Sequence, residues 1–313
     1  MKTGSTSYSL FHNVVAAILN PRTVFVVFMS LLGLIACGGG GGSGDTPELN
    51  YPCVSWCNTI APWPHDGNPY ESANFTVYGD TSSIQARMGL ASIAEGVLTD
   101  LKSQFEILNN DLFVFPADQT KIHLYAFKSY NPTQWGGQGF WGGMLIYSLD
   151  HPQRSAAGLT EIGSYTRLVT HEITHVIQGL LIGSIHTYST HTWFEEGLGE
   201  LISSLNPERS ITNLTELNNL TAKYGELNPI AIHNDIYPAI EGVAQNYYYP
   251  MFELTMRYLL DAQGLGHSLL DVKQVFLDMR GGMSFSDAFQ SNFGLSVVDF
   301  EAEYFLRIRQ YLS

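Results

Sequence analysis

Charge is scarce in this chain, and positive charge is scarcest. Of 313 residues only 14% are charged, and 15 Lys and Arg stand against 29 Asp and Glu, a formal net charge of -14. No basic stretch offers a surface to phosphates, so a nucleic-acid partner is not expected. Cysteine is nearly absent, with three residues, too few for a disulfide framework to stand in for a core. No apolar run reaches the roughly 18 residues that a membrane-spanning helix needs. No internal repeat is found. Core material is plentiful instead: 45% of residues are hydrophobic. That suits one large or two modest globular domains and excludes general disorder.

Lys2 and Arg22 are the only charges before residue 37, and an apolar run from Val24 to Ala36 follows them. Such a run is short for a bilayer and suits the hydrophobic region of an export signal. It ends in Leu34-Ile35-Ala36-Cys37, which resembles the bacterial lipobox. The resemblance implies that residues 1–36 are a lipoprotein signal peptide and that Cys37 is lipidated, anchoring the protein to a membrane. Gly38 to Gly44, all glycine except Ser43, reads as a flexible tether. Gly38 rather than Asp after the cysteine implies, by bacterial sorting rules, the outer membrane of the cell envelope. Cys53 and Cys57 close a short loop, and in an exported protein a local disulfide is expected. Residues 37–71 are thus expected to be lipidated cysteine, tether and irregular lead-in.

Beyond this lead-in the pattern becomes regular. Strands are expected at Phe75–Tyr78, Lys121–Phe127 and Met144–Tyr147. A long helix is expected over Ser82–Leu108, where Ile84, Met88, Ala91, Ala94, Leu98, Leu101 and Phe105 repeat every three or four residues. Trp135 to Gly143 is rich in glycine and tryptophan, permitting close backbone approach or unusual dihedrals. The chain turns polar after about residue 207. It then reads as helical over Tyr247–Leu260, Leu269–Met279, Phe285–Phe293 and Val297–Leu312.

His171-Glu172-Ile173-Thr174-His175 is an HExxH motif. On a helix, residues four apart share a face, so both imidazoles can reach one metal ion. Glu172 projects beside them, placed to take a proton from a metal-activated water and pass it to a leaving amine. Ile162, Tyr165, Val169, Ile173, Val176 and Leu180 form an apolar stripe, and both histidines point away from it. Zinc needs a third protein ligand. Gln178 and Leu181 exclude the metzincin continuation, which requires glycine and histidine there. Downstream lies Thr192-Trp193-Phe194-Glu195-Glu196-Gly197-Leu198-Gly199-Glu200. Thr192 and Glu195 read as a capping box. Phe194, Leu198, Leu201 and Leu205 form a buried stripe, and Glu196 and Glu200 share the opposite face. Glu196 is therefore the expected third ligand, with Glu200 one turn on to accept a hydrogen bond from a liganding imidazole.

HExxH followed by a helix bearing Glu-Gly-Leu-x-Glu resembles the gluzincin zinc peptidases, the thermolysin and aminopeptidase N type. The resemblance implies that one Zn2+ is bound by His171, His175 and Glu196, that Glu172 is the catalytic base, and that Glu200 orients His171. It also implies a tyrosine that stabilises the oxyanion. The spacing to Tyr258-Leu259 favours Tyr249, with Tyr247 and Tyr248 open. Gly142, Gly143 and Met144 resemble the edge strand that pairs with substrate backbone. The aminopeptidase branch has a glutamate after that methionine, and Leu145 stands here, so an endopeptidase is expected.

The expected fold is α+β and zincin-like: a small, mostly antiparallel sheet plus a long helix, the HExxH and Glu-ligand helices, then a helical C-terminal lobe. The catalytic domain is expected over 72–313, with the sheet and zinc helices at 72–206 and the helical lobe at 207–313. Its partners would be a peptide or protein substrate and, through the lipid, a membrane. The alternative is a lipid-anchored binding protein with a vestigial or structural zinc site.

Overall fold

The structure is a computed structural model. It describes residues 65–108, 115, 119–129, 137–140, 142–155, 158–183, 191–232 and 237–313. The segment expected to be an export signal and the cysteines at 37, 53 and 57 lie outside these residues. All that is described belongs to one compact unit, residues 37–313.

Five short strands build one sheet: β1 (Tyr70–Glu71), β2 (Phe75–Gly79), β3 (Ile122–Phe127), β4 (Gly137–Phe140) and β5 (Gly143–Tyr147), in the order β1-β2-β3-β5-β4. The three expected strands are β2, β3 and β5. β1 starts before residue 72, so the folded unit begins earlier than expected. The expectation of a mostly antiparallel sheet is also corrected. β2, β3 and β5 run parallel at the centre, and only the edge strands β1 and β4 are antiparallel to their neighbours. The reason is connectivity. Parallel neighbours need a crossover of a dozen residues or more, and helix α1 (Ile84–Gln104) supplies it between β2 and β3.

Val77, Leu124 and Met144 lie in one row across the sheet and join the main core. Tyr78, Tyr125 and Leu145, one residue on, form the next row and a second cluster with Phe127. Two rows of opposite facing are what a strand's two-residue period requires. Along α1 the buried stripe runs through Leu90, Ala94, Val97, Leu98 and Leu101. Ile84 and Met88, expected on that stripe, are exposed. Arg87 takes the inward position instead, donating to Ser82 and pairing with Asp66.

Helix α2 (Ile162–Ile182) carries the HExxH residues, and α3 (Thr192–Ser203) carries Glu196 and Glu200. Gly183, at φ 71°, ends α2 in the left-handed conformation that favours glycine. After residue 207 every described regular element is helical: α4 (Leu214–Tyr224), α5 (Tyr249–Leu260), α6 (Leu269–Arg280), α7 (Phe285–Phe293) and α8 (Val297–Tyr311), with short 3-10 turns and one π turn, Ala244–Tyr248. The fold is therefore mixed α+β with a helical C-terminal part. Helix α4 was not anticipated, although Asn213 caps it and Leu214, Leu217 and Leu220 recur at three-residue intervals. Among the described residues, no helix is long and apolar enough to cross a membrane.

Candidate metal centre

From Leu168 onward α2 is enclosed almost all round. Its apolar stripe from Tyr165 to Leu180 joins the main core, while Ile162, expected on that stripe, is exposed at the helix start, and its histidine face meets α3 and β4. There, His171 Nε2 and His175 Nε2 are 3.1 Å apart. Glu196 Oε2 lies 3.3 Å from the first and 3.6 Å from the second. Three buried or nearly buried side chains from two helices thus form a group that could hold one metal ion. The spacing fits. Four ligands arranged tetrahedrally at zinc-like bond lengths of about 2.0–2.1 Å would sit about 3.4 Å from one another. Glu196 Oε2 is buried with no well-formed hydrogen bond and only the two imidazole nitrogens beside it, an arrangement that a shared cation would complete.

The charge balance of the group is unusual for a core. Burial would push Glu196 up, but the neighbouring histidines hold its carboxyl at about 2. Burial works against charge on His175, yet Glu196 raises it to about 10, and His171 is raised for the same reason. Burial pushes the Glu172 carboxyl up.

Glu172 is 2% exposed. Its carboxylate accepts from the Gly139 N–H, while Oε2 is left without a partner. This contact exists because β4 lies close over α2. A Cβ at Gly137 would come within 2.7 Å of Glu172 Oε1, and one at Gly139 within 2.5 Å of the Glu172 carbonyl oxygen. The glycines of 137–139 therefore answer the question the sequence left open: they allow close backbone approach.

Glu200 Oε1 lies 3.7 Å from His171 Nδ1, and the Asn206 amide donates to both Glu200 oxygens. The capping box is corrected. His191 is the cap residue of α3 and makes no side-chain cap bond, and Thr192 is already helical. Glu195 still favours the first turn through its charge. Glu196 keeps its place as the residue facing the histidines.

The edge-strand reading of Gly142, Gly143 and Met144 is also corrected. β5 lies between β3 and β4 and is paired on both sides, and Met144 is fully buried. Its Gly-Met start is interior because the chain doubles back from β4 through Gly142, at φ 81°. The edge beside the metal group is β4. Of the three tyrosines, Tyr247 is committed elsewhere: its hydroxyl donates to the Leu227 carbonyl and accepts from the Leu227 N–H. Tyr249 opens α5 and lines a cavity of about 60 Å³ with Glu200, Asn206, Arg209 and Glu253.

One residue escaped the sequence reading. Gln178, fully buried, bonds His175 on one side and α3 on the other. Its signal was position: three residues past His175, on the same helix face.

No family model matches the chain, and no curated protein matches it.

Proposed function

We propose that this protein is a zinc-dependent peptidase of the gluzincin type, acting as an endopeptidase. The observation that carries the reading is the convergence of His171 Nε2, His175 Nε2 and Glu196 Oε2 beside a buried carboxylate with a free oxygen. His171, His175 and Glu196 would hold the ion. Bound zinc supplies a Lewis acid that makes water nucleophilic near neutral pH and polarises a carbonyl.

The chain's own groups do the rest. Glu172, whose carboxyl burial pushes up and whose Oε2 has no partner, takes the proton of the attacking water and delivers it to the departing amine. Glu200, itself held by Asn206, steadies His171. Tyr249 is the candidate donor to the oxyanion. A peptide substrate is favoured over other esters or amides by β4. Among the described residues its outer edge has no strand partner, and an extended peptide can add there by main-chain hydrogen bonds. Cys37, lipidated, would hold the domain outside the cytoplasm. A Cys37→Ala form recovered in the soluble fraction would support that anchor, and one still in the membrane fraction would contradict it.

The deciding experiment is Glu172→Gln. The variant should bind zinc as the wild type does and lose peptide hydrolysis by roughly two to four orders of magnitude. Equal hydrolysis by the two proteins would overturn the catalytic assignment. Stoichiometric zinc with no hydrolysis by either would favour a binding protein with a structural metal.

A further inference from the structure

Gln178 is 1% exposed and sits where α2 and α3 meet. Its Nε2 donates to the Glu195 carbonyl oxygen at 3.0 Å, and its Oε1 lies 2.9 Å from His175 Nδ1. The two contacts are not independent. A carbonyl can only accept, so the amide nitrogen must face Glu195. The amide oxygen must then face His175, and an oxygen there requires a proton on Nδ1. The remaining lone pair of a neutral His175 ring is consequently on Nε2, the atom that faces His171 Nε2 and Glu196.

The other end of the amide matters equally. The Glu195 carbonyl belongs to the peptide unit that leads into Glu196. One planar group therefore fixes the tautomer of one ligand and the backbone of another, and it spans the two helices that carry them. Glutamate at 178 would keep only the acceptor, and methionine would keep neither function.

We infer that Gln178 is the positioning residue of the metal centre, a clamp that presents His175 through Nε2 and sets the spacing between the two ligand helices. This rests on the proposed metal binding. The test separates the two. Zinc affinity of the purified wild type and of Gln178→Met is measured by competition with a chromophoric chelator, with circular dichroism to check folding. The methionine variant should bind zinc roughly 10–100-fold more weakly, and Gln178→Glu should fall between it and the wild type. A folded methionine variant that binds zinc as tightly as wild type overturns the clamp and leaves the metallopeptidase reading standing. A wild type that takes up no zinc overturns both. Should the variants not fold, 15N-histidine NMR of the zinc-loaded wild type decides: a protonated Nδ1 on His175 supports the clamp, and a protonated Nε2 overturns it.

Discussion

Asp80 and Glu172 are both carboxylates held against the sheet-and-helix core, and their surroundings are opposite. Asp80, at the end of β2, accepts from the N–H groups of Thr81, Lys128 and Ser129 and from the Ser129 hydroxyl. Nearby Arg87 is similarly saturated by Asp66, Ser82 and Asn68. Around Glu172 the accounting does not close. Glu172 Oε2, Glu196 Oε2 and His171 Nδ1 are all buried without a hydrogen bond. Leaving a buried polar atom unpaired costs about 1–3 kcal/mol, and the chain carries several in one place. Unpaired buried atoms occur elsewhere too, at Glu253 Oε2 and Arg307 Nε, but those around Glu172 flank a His-His-Glu group that could hold a metal ion, and there a cation is the natural completion.

The comparison can be broken at either end. The largest effect is expected from Glu196→Ala. On the proposed function it removes a ligand rather than a supporting group, so zinc affinity should fall by more than the ~100-fold typical of outer partners. Retained stoichiometric zinc would contradict the site. Next comes metal removal. Zinc at about one hundred times its dissociation constant should add ~2.7 kcal/mol to stability, so chelation should lower the melting temperature and zinc, not magnesium, should restore it. Gly139→Ala should then cost about 1–3 kcal/mol, because the added methyl group pushes β4 off α2, as denaturant titration would register. Hydrolysis should fall with it.

The smallest effect belongs to the saturated end. Asp80→Asn should destabilise by about 1 kcal/mol, allowing for the solvent around this half-buried group, and leave zinc affinity unchanged. Although burial alone would raise it, the donors on Asp80 hold its carboxyl well below the ordinary 3.8. Its contribution is present above that ordinary value and is lost as pH falls toward the folded one. The gap between variant and wild type should accordingly close in acid, which urea unfolding at pH 7 and pH 3 would reveal.

Much of the site was legible because helical spacing carries it. His171 and His175 are four apart, and Glu196 and Glu200 repeat the interval on the next helix, so periodicity placed each pair on one face. The four C-terminal helices with strong apolar spacing were visible for the same reason. What escaped was non-local. β4 reads Gly-Gln-Gly-Phe, with no apolar alternation to mark a strand. Its identity comes from pairing with β5 and leaning on α2. The parallel centre of the sheet depends on which strands become neighbours, which no local pattern encodes. Gln178 was seen only as a residue that is not glycine, since its partner, the carbonyl of Glu195, belongs to another helix. Met88 misled because Arg87, with a buried partner, displaced it from the core face.

The glycine after Glu196 has a consequence for how this protein can be divided. A Cβ at Gly197 would stand 2.5 Å from the Phe252 carbonyl oxygen, so α3 and α5 touch backbone to backbone. The helix bearing Glu196 is thus wedged between the histidine helix and the C-terminal lobe. Residues 207–313 are then no detachable appendage: a fragment ending at 206 would expose the flank of α3 and lose the wall that aims Glu196. The folded unit and the His171, His175 and Glu196 group that could hold an ion are therefore inseparable, and the gene cannot be trimmed there without dismantling that group.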